Sequence, residues 1–283
     1  SRFAGTKIIA LGEATHGTKD FFQMKHRLFK FFVEKHGYKI FGFEADMGEC
    51  IYIDRFICRN KGSINDIMEK MHFWTWRTEE VKELILWMKE YNEGKPYARQ
   101  IHFLGFDCQS KTYLKELLLA YLKENKFSSD RKMERILDEI NSIAYERFQK
   151  MEQIEIDLFK SKCDSVLSYL ELNRKSGAGD KFEFEQMKRL LVQARQVMDV
   201  ATKKSYLRDK YMAENAEWLS NLYGPDTRII LWAHNGHIAK NGMYSGLHGS
   251  MGYNLSKKSG LGYKAIGFSF NYGSFQAVGI GPS

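Results

Sequence analysis

Proline is scarce in this chain, three residues in 283, and long proline-rich linkers are therefore excluded. Long apolar runs are missing too: none reaches the ~18 residues that a membrane span requires. The four cysteines, Cys50, Cys58, Cys108 and Cys163, form no CxxC pair and no zinc-finger spacing. Reduced thiols in a cytoplasmic protein are the expectation. No secretory leader is evident, and the chain opens only a few residues before its first strand, so a trimmed start is expected. Blocks of like charge are absent. The 43 Lys+Arg against 35 Asp+Glu leave a net charge of +8, but the basic residues alternate with acids, as in Lys82-Glu83 and Lys115-Glu116. With no nucleic-acid motif either, the charge reads as a solvated surface, and neither nucleic acid nor membrane is the expected partner. A GxSxG elbow is also lacking, which disfavours a serine nucleophile. Cys108 follows a strand, where a packed thiol is the plain reading.

Five short apolar runs read as buried strands: Lys7–Leu11, Lys39–Phe43, Ile101–Phe106, Arg228–Ala233 and Lys264–Phe268. Four of them are nearly continuous in apolar character, which fits parallel strands covered on both faces. Between the first two, Lys19–Lys35 carries Phe21, Phe22, Met24, Leu28, Phe31 and Phe32 at helical spacing, which makes a βαβ unit. Glu79–Tyr91 is a second helix. Lys111–Glu124, Arg131–Leu172 and Phe182–Leu222 carry helical periodicity without a strand, broken at Asn173–Asp180 by glycine and polar residues. The expected fold is α/β: a mostly parallel central sheet flanked by helices, with a large helical insertion between strands three and four. Residues 1–110 and 223–283 would build the core and 111–222 the insertion, all in one compact unit.

In open α/β sheets, ligands bind beyond the carboxyl ends of the strands. There the first strand delivers Glu13 and His16, the second Glu44 and Asp46, the third Asp107 and Gln109, and the fourth His234 and His237. Buried acids are costly unless paired or ligating, so their gathering at one end marks a candidate site. Singly, Asp46 and Asp107 are equally read as helix caps. His26, His36, His72, His102 and His248 read as surface or core residues.

Two chemistries suit the cluster. A histidine would act as general base on a water that attacks a carbonyl. His16, just ahead of the first helix and its positive end, is the candidate, with Glu13 or Glu44 orienting the ring. Alternatively His16, His234, His237 and Glu44 would hold a divalent metal that activates the water. His234 and His237 stand three apart in a glycine-containing loop, unlike a helical HExxH site. Arg208 would hold a developing oxyanion, and Phe73, Trp74 and Trp76 would line an apolar pocket, or equally be core.

The runs IIALGEATHGTKDFFQMKHRLFKFF, GFEAD, WTWRTEEV, RDKYMAENAEWL, LWAHNGHI and MGYNL, in this order, resemble the erythromycin esterase family. The resemblance spans nearly the whole chain, and GEATHG together with HNGHI is a specific combination. It implies hydrolysis of an ester or macrolactone, a small-molecule substrate and a link to macrolide resistance; of the two chemistries above, metal-free hydrolysis is preferred, with no cofactor expected and a divalent metal the alternative. It implies a general base at His16, acids at Glu13 and Glu44, and partners at His234 and His237. A basic residue from the first helix is also implied at the site; Lys25 is carried over, with Arg27 nearby. Both ends look short for that family: little precedes the first strand, and the last residues are Gly281-Pro282-Ser283. The rival readings are a metal-dependent hydrolase of another bond and a non-catalytic binding or accessory protein on the same fold.

Overall fold

The computed structural model describes residues 3, 5–127, 131–174, 180–202, 204–241, 249–258 and 262–277. Strands β1 (Ile8–Leu11), β2 (Ile40–Asp46), β3 (His102–Asp107), β4 (Ile229–Trp232) and β5 (Lys264–Ile266) fall on the five expected runs, with β2 continuing to Asp46. The helices are α1 (Lys19–His36), α2 (Met47–Arg59), α3 (Ile64–Lys70), α4 (Glu79–Asn92), α5 (Leu114–Glu124), α6 (Arg131–Ser142), α7 (Tyr145–Phe148), α8 (Gln153–Asn173), α9 (Lys181–Ala201), α10 (Arg208–Asn221), α11 (Asn235–Ile238) and α12 (Met251–Lys257). Of the expected break at Asn173–Asp180, the two ends close α8 and cap α9; residues 175–179 lie outside the described residues, as does His248. No described helix is long and apolar enough to cross a membrane.

The sheet is parallel throughout, in the order β3-β2-β4-β1-β5. The βαβ unit β1-α1-β2 is present, and its crossover spans one intervening strand. β1 and β2 are parallel but not neighbours, because β4 inserts between them and pairs with both. This places the loop after β4 between the ends of β1 and β2, a placement that the site depends on.

Successive strand residues face opposite sides, and the buried side chains divide accordingly. Ile9, Leu11, Phe41, Phe43, Ile230 and Trp232 pack under α1, α2 and α4. Ile8, Ala10, Ile229 and Leu231 pack against α10 and α12. A third core lies within the insertion α5–α9 and takes in Met47 and Ile51 of α2. That helix was not legible as an amphipathic stripe because it is buried nearly all round, charged Glu49 and Asp54 included. On α1 the buried stripe is Phe21, Phe22, Lys25, Phe29, Phe32 and Val33, whereas Met24 and Phe31 are exposed. The polar Lys25 on that stripe displaced the phase read from the sequence.

Candidate active site

β1 runs out at Leu11 into Gly12–Gly17, and two glycines there are fixed by contact. A Cβ on Gly12 would lie 2.0 Å from Asn235 Oδ1, and one on Gly17 would lie 1.9 Å from the carbonyl oxygen of Gln276. Asn235 is also held by both its ends: its N–H donates to the Glu13 carbonyl and its Nδ2 to that of Phe268, each at 2.8 Å. The β1 and β4 loops are thereby clipped together.

Within that loop the Glu13 carboxylate is fully buried and doubly engaged. Its Oε1 lies 2.6 Å from His16 Nδ1, and its Oε2 accepts from Lys25 Nζ at 2.8 Å. Lys25 rises from the inner face of α1 and sits over the Trp232 ring, 4.4 Å from its centroid. Burial lowers the Lys25 ammonium to about 8, despite the opposing pull of Glu13 and Glu44. Arg27, the alternative basic residue, is exposed. Among the described residues, His16 Nε2 has no protein hydrogen bond. The ring packs edge-on against Trp76, centroids 5.2 Å apart, and lies 5.4 Å from the His234 ring.

Glu44 comes from β2, where the register with β3 shifts between Phe43 and Asp46. Such an irregularity re-aims a side chain at a strand end. Its Oε2 accepts the His234 N–H at 2.8 Å and its Oε1 accepts from Arg208 Nη2 at 2.9 Å. Burial alone would raise the Glu44 pKa; His237 and Arg208, with His16, outweigh it and hold the carboxylate well below its ordinary range. Asp107 ends β3 and grips Arg208 in a fork, Oδ1 with Nε and Oδ2 with Nη2, both at 2.9 Å. Burial opposes the Arg208 charge, but Asp107 and Glu44 raise its pKa above the ordinary value. Asp46 is a helix cap: it accepts from Gly48 and Glu49 at the start of α2 and completes a capping box with Glu49.

The two histidines of the β4 loop differ. His234 is the cap of α11; its Nδ1 accepts the Gly236 N–H at 3.1 Å and its Nε2 donates to the Ala14 carbonyl at 3.1 Å. Both ring nitrogens are spent on backbone, with the ring neutral. His237 Nδ1 donates to Asp209 at 2.8 Å, while Nε2 lies 3.3 Å from Glu44 and 3.0 Å from Arg208 Nη1. Burial disfavours a charge on His237, but the Glu44 and Asp209 carboxylates outweigh both burial and Arg208 and lift its pKa to about 10. Nε2 accepts from Arg208 when the ring is neutral and donates to Glu44 when it is protonated.

Thr15, His16, Glu44, Phe73, Thr75, Trp76, Asp107, Gln109, Arg208, His234 and His237 line a cavity of about 400 Å³, within the range of small-molecule sites. Trp76 is buried at its wall. Trp74 is partly exposed and lines the adjoining hollow, which shares His16 and Thr75. Among the described residues the donor atoms of the alternative metal set, His16, His234, His237 and Glu44, do not all lie within 4.8 Å of one another, and both His234 ring nitrogens meet backbone. Asp209 was missed by the sequence reading. It sits in the first turn of α10 beside Arg208, and besides His237 it accepts the Met251 N–H at the start of α12, 2.8 Å away. A lone acid on a long helical segment gave no signal of that position.

A parallel α/β sheet with acids and histidines converging at its carboxyl edge defines the class. The chain belongs to the erythromycin esterase family, whose family model matches residues 33–280. It is 26% identical to erythromycin esterase type II of Escherichia coli, over 96% of this chain and 71% of that one. It is also 26% identical to the putative hydrolase YbfO of Bacillus subtilis, over 83% of this chain and 57% of the relative. Among solved structures, a Bacillus cereus protein superposes with a TM-score of 0.80 at 24% identity, covering 94% of this chain and 66% of the other. An erythromycin esterase mutant in its open conformation gives 0.67 at 19% identity, covering 93% and 70%. The chain thus spans between about half and three quarters of the length of these relatives.

Proposed function

We propose that the chain hydrolyses a carboxylic ester or lactone, a macrolactone being the first to test, with His16 as general base. The observation that carries this reading is the Lys25–Glu13–His16 relay. Glu13 binds Nδ1 at 2.6 Å and leaves Nε2, on a ring that lines the 400 Å³ cavity, as the nitrogen able to take a proton from water. A fixed carboxylate on the far nitrogen sets the tautomer and steadies the imidazolium formed during attack. Arg208 and His237, which line the same cavity as His16, would stabilise the oxygen on which negative charge develops. Water adds across the C–O bond: hydroxide goes to the acyl carbon, and the proton taken by His16 is returned to the leaving alkoxide.

A metal is not needed in this mechanism, a reading supported by the engagement of both His234 nitrogens with backbone. Substrate class and macrolide resistance are inferences from the family at 26% identity, and a cytoplasmic setting is an inference from the four free cysteines. The test is to incubate purified protein with erythromycin and follow the parent mass, alongside His16→Ala and a chelator-treated sample. A gain of one water, abolished in His16→Ala and retained with chelator, is expected. Equal turnover by His16→Ala overturns the base assignment, and loss with chelator overturns the metal-free route. No turnover of erythromycin by the unsubstituted protein withdraws the macrolide and directs the same assay to other esters and lactones.

A further inference from the structure

A second cluster of ligand-type side chains lies at the opposite end of the sheet, where β3 begins. Asp54 and Cys58 stand one turn apart on α2 and face His102, the first residue of β3. Among the described residues this is the group of Cys, His and acidic side chains whose donor atoms all lie within 4.8 Å of one another. His102 Nδ1 is 3.1 Å from Asp54 Oδ1 and 3.4 Å from Cys58 Sγ; Cys58 Sγ is 3.6 Å from Asp54 Oδ1. Zinc binds nitrogen and oxygen at ~2.0 Å and sulfur at ~2.3 Å. Tetrahedral angles then separate neighbouring ligand atoms by about 3.3 to 3.6 Å. The triangle already has nearly those edges.

The supports of a metal site are present as well. His102 is clamped by rings: Tyr223 stacks at 4.5 Å between centroids, with Phe182 at 5.1 Å and Tyr97 at 5.2 Å. Its Nε2 is buried without a partner, so the polar contacts of the ring run through Nδ1. The Phe103 N–H donates to Asp54 Oδ1 at 3.1 Å, and Asn92 Nδ2 lies 3.5 Å from the Cys58 sulfur. Donors of this kind orient ligands and stabilise thiolate. Cys58 and Asn92 also line a hollow of about 560 Å³.

We propose that Cys58, His102 and Asp54 bind a thiolate-preferring divalent cation of the zinc class, clamping α2 to the start of β3, away from the catalytic pocket. The sequence spacing hid this set, because Cys58 and His102 are 44 residues apart in no known motif.

The test is a titration of metal-stripped, reduced protein with cobalt(II) and with zinc. One equivalent of cobalt is expected, with a near-ultraviolet thiolate–cobalt absorption that Cys58→Ser abolishes and Asp54→Asn weakens. Saturating zinc, about 100-fold above Kd, should raise Tm by about 5 °C and protect Cys58 from iodoacetamide, read by peptide mass mapping. The alkylation arm uses the unsubstituted chain and so stands even where a variant misfolds. Absence of the absorption, its survival in folded Cys58→Ser, or alkylation of Cys58 unchanged by zinc would each overturn the proposal.

Discussion

Glu13 and His16 are joined at 2.6 Å, and the same carboxylate takes the ammonium of Lys25 on its other oxygen. A buried carboxylate and its ammonium partner thus stand behind His16, whose far nitrogen has no protein hydrogen bond among the described residues. Replacing His16 by Asn is expected to lower kcat by roughly 10²–10⁴-fold, the usual contribution of a positioned base. KM should move little and the far-ultraviolet circular dichroism not at all. A kcat within a few-fold of the unsubstituted enzyme would remove His16 from the mechanism.

Lys25 is paired and fully buried, so its removal strands a carboxylate in the core. Lys25→Met should cost about 3–5 kcal/mol in denaturant unfolding at pH 7. The pH dependence adds a sign. The folded pKa is lowered from 10.5 to about 8, so between those values the unfolded chain binds the extra proton. The stability difference between the unsubstituted protein and Lys25→Met should therefore grow as pH rises through that window.

His237 is the opposite case. Its folded pKa is raised from 6.5 to about 10 by Glu44 and Asp209. The stabilisation is complete below pH 6.5 and fades as pH climbs towards 10. Urea midpoints of the unsubstituted protein and His237→Gln should accordingly converge over that range. A constant gap would mean that the ring is neutral in the folded state.

Asp209 holds His237 and the first N–H of α12 together. Asp209→Ala is expected to lower stability by about 3 kcal/mol, the loss of a partner from a buried charged pair. It should also loosen α12, seen as faster amide exchange at Met251. Unchanged exchange there would confine Asp209 to the imidazole.

Gly12 lies against the Asn235 side chain with no room for a methyl group. Gly12→Ala should destabilise by about 1–3 kcal/mol and reduce turnover by separating the β1 and β4 loops. Asn235→Gly in the same chain should recover part of the stability. If it recovers none, the clash is not with Asn235.

Much of this was legible along the chain. The five strands announced themselves because each is short, apolar and bounded by polar residues, and Glu13, His16, Glu44, Asp107, Arg208 and His237 all face one cavity or its immediate support. Local patterning determines where a buried strand must stop, and with it which polar residues emerge at its end. What patterning could not supply was neighbourhood. The sequence did not say that β4 would lie between β1 and β2, yet that order alone sets His234 against Glu44 and Asn235 against Glu13. Nor did it reveal α2, whose burial on nearly every side erased its helical stripe. The roles of the two β4-loop histidines were likewise decided in three dimensions. One spends its ring on backbone amide and carbonyl, the other is charged by carboxylates from β2 and α10. Hydrogen bonds and ion pairs act over about 3 Å, and only the folded chain brings residues some 200 positions apart within that reach.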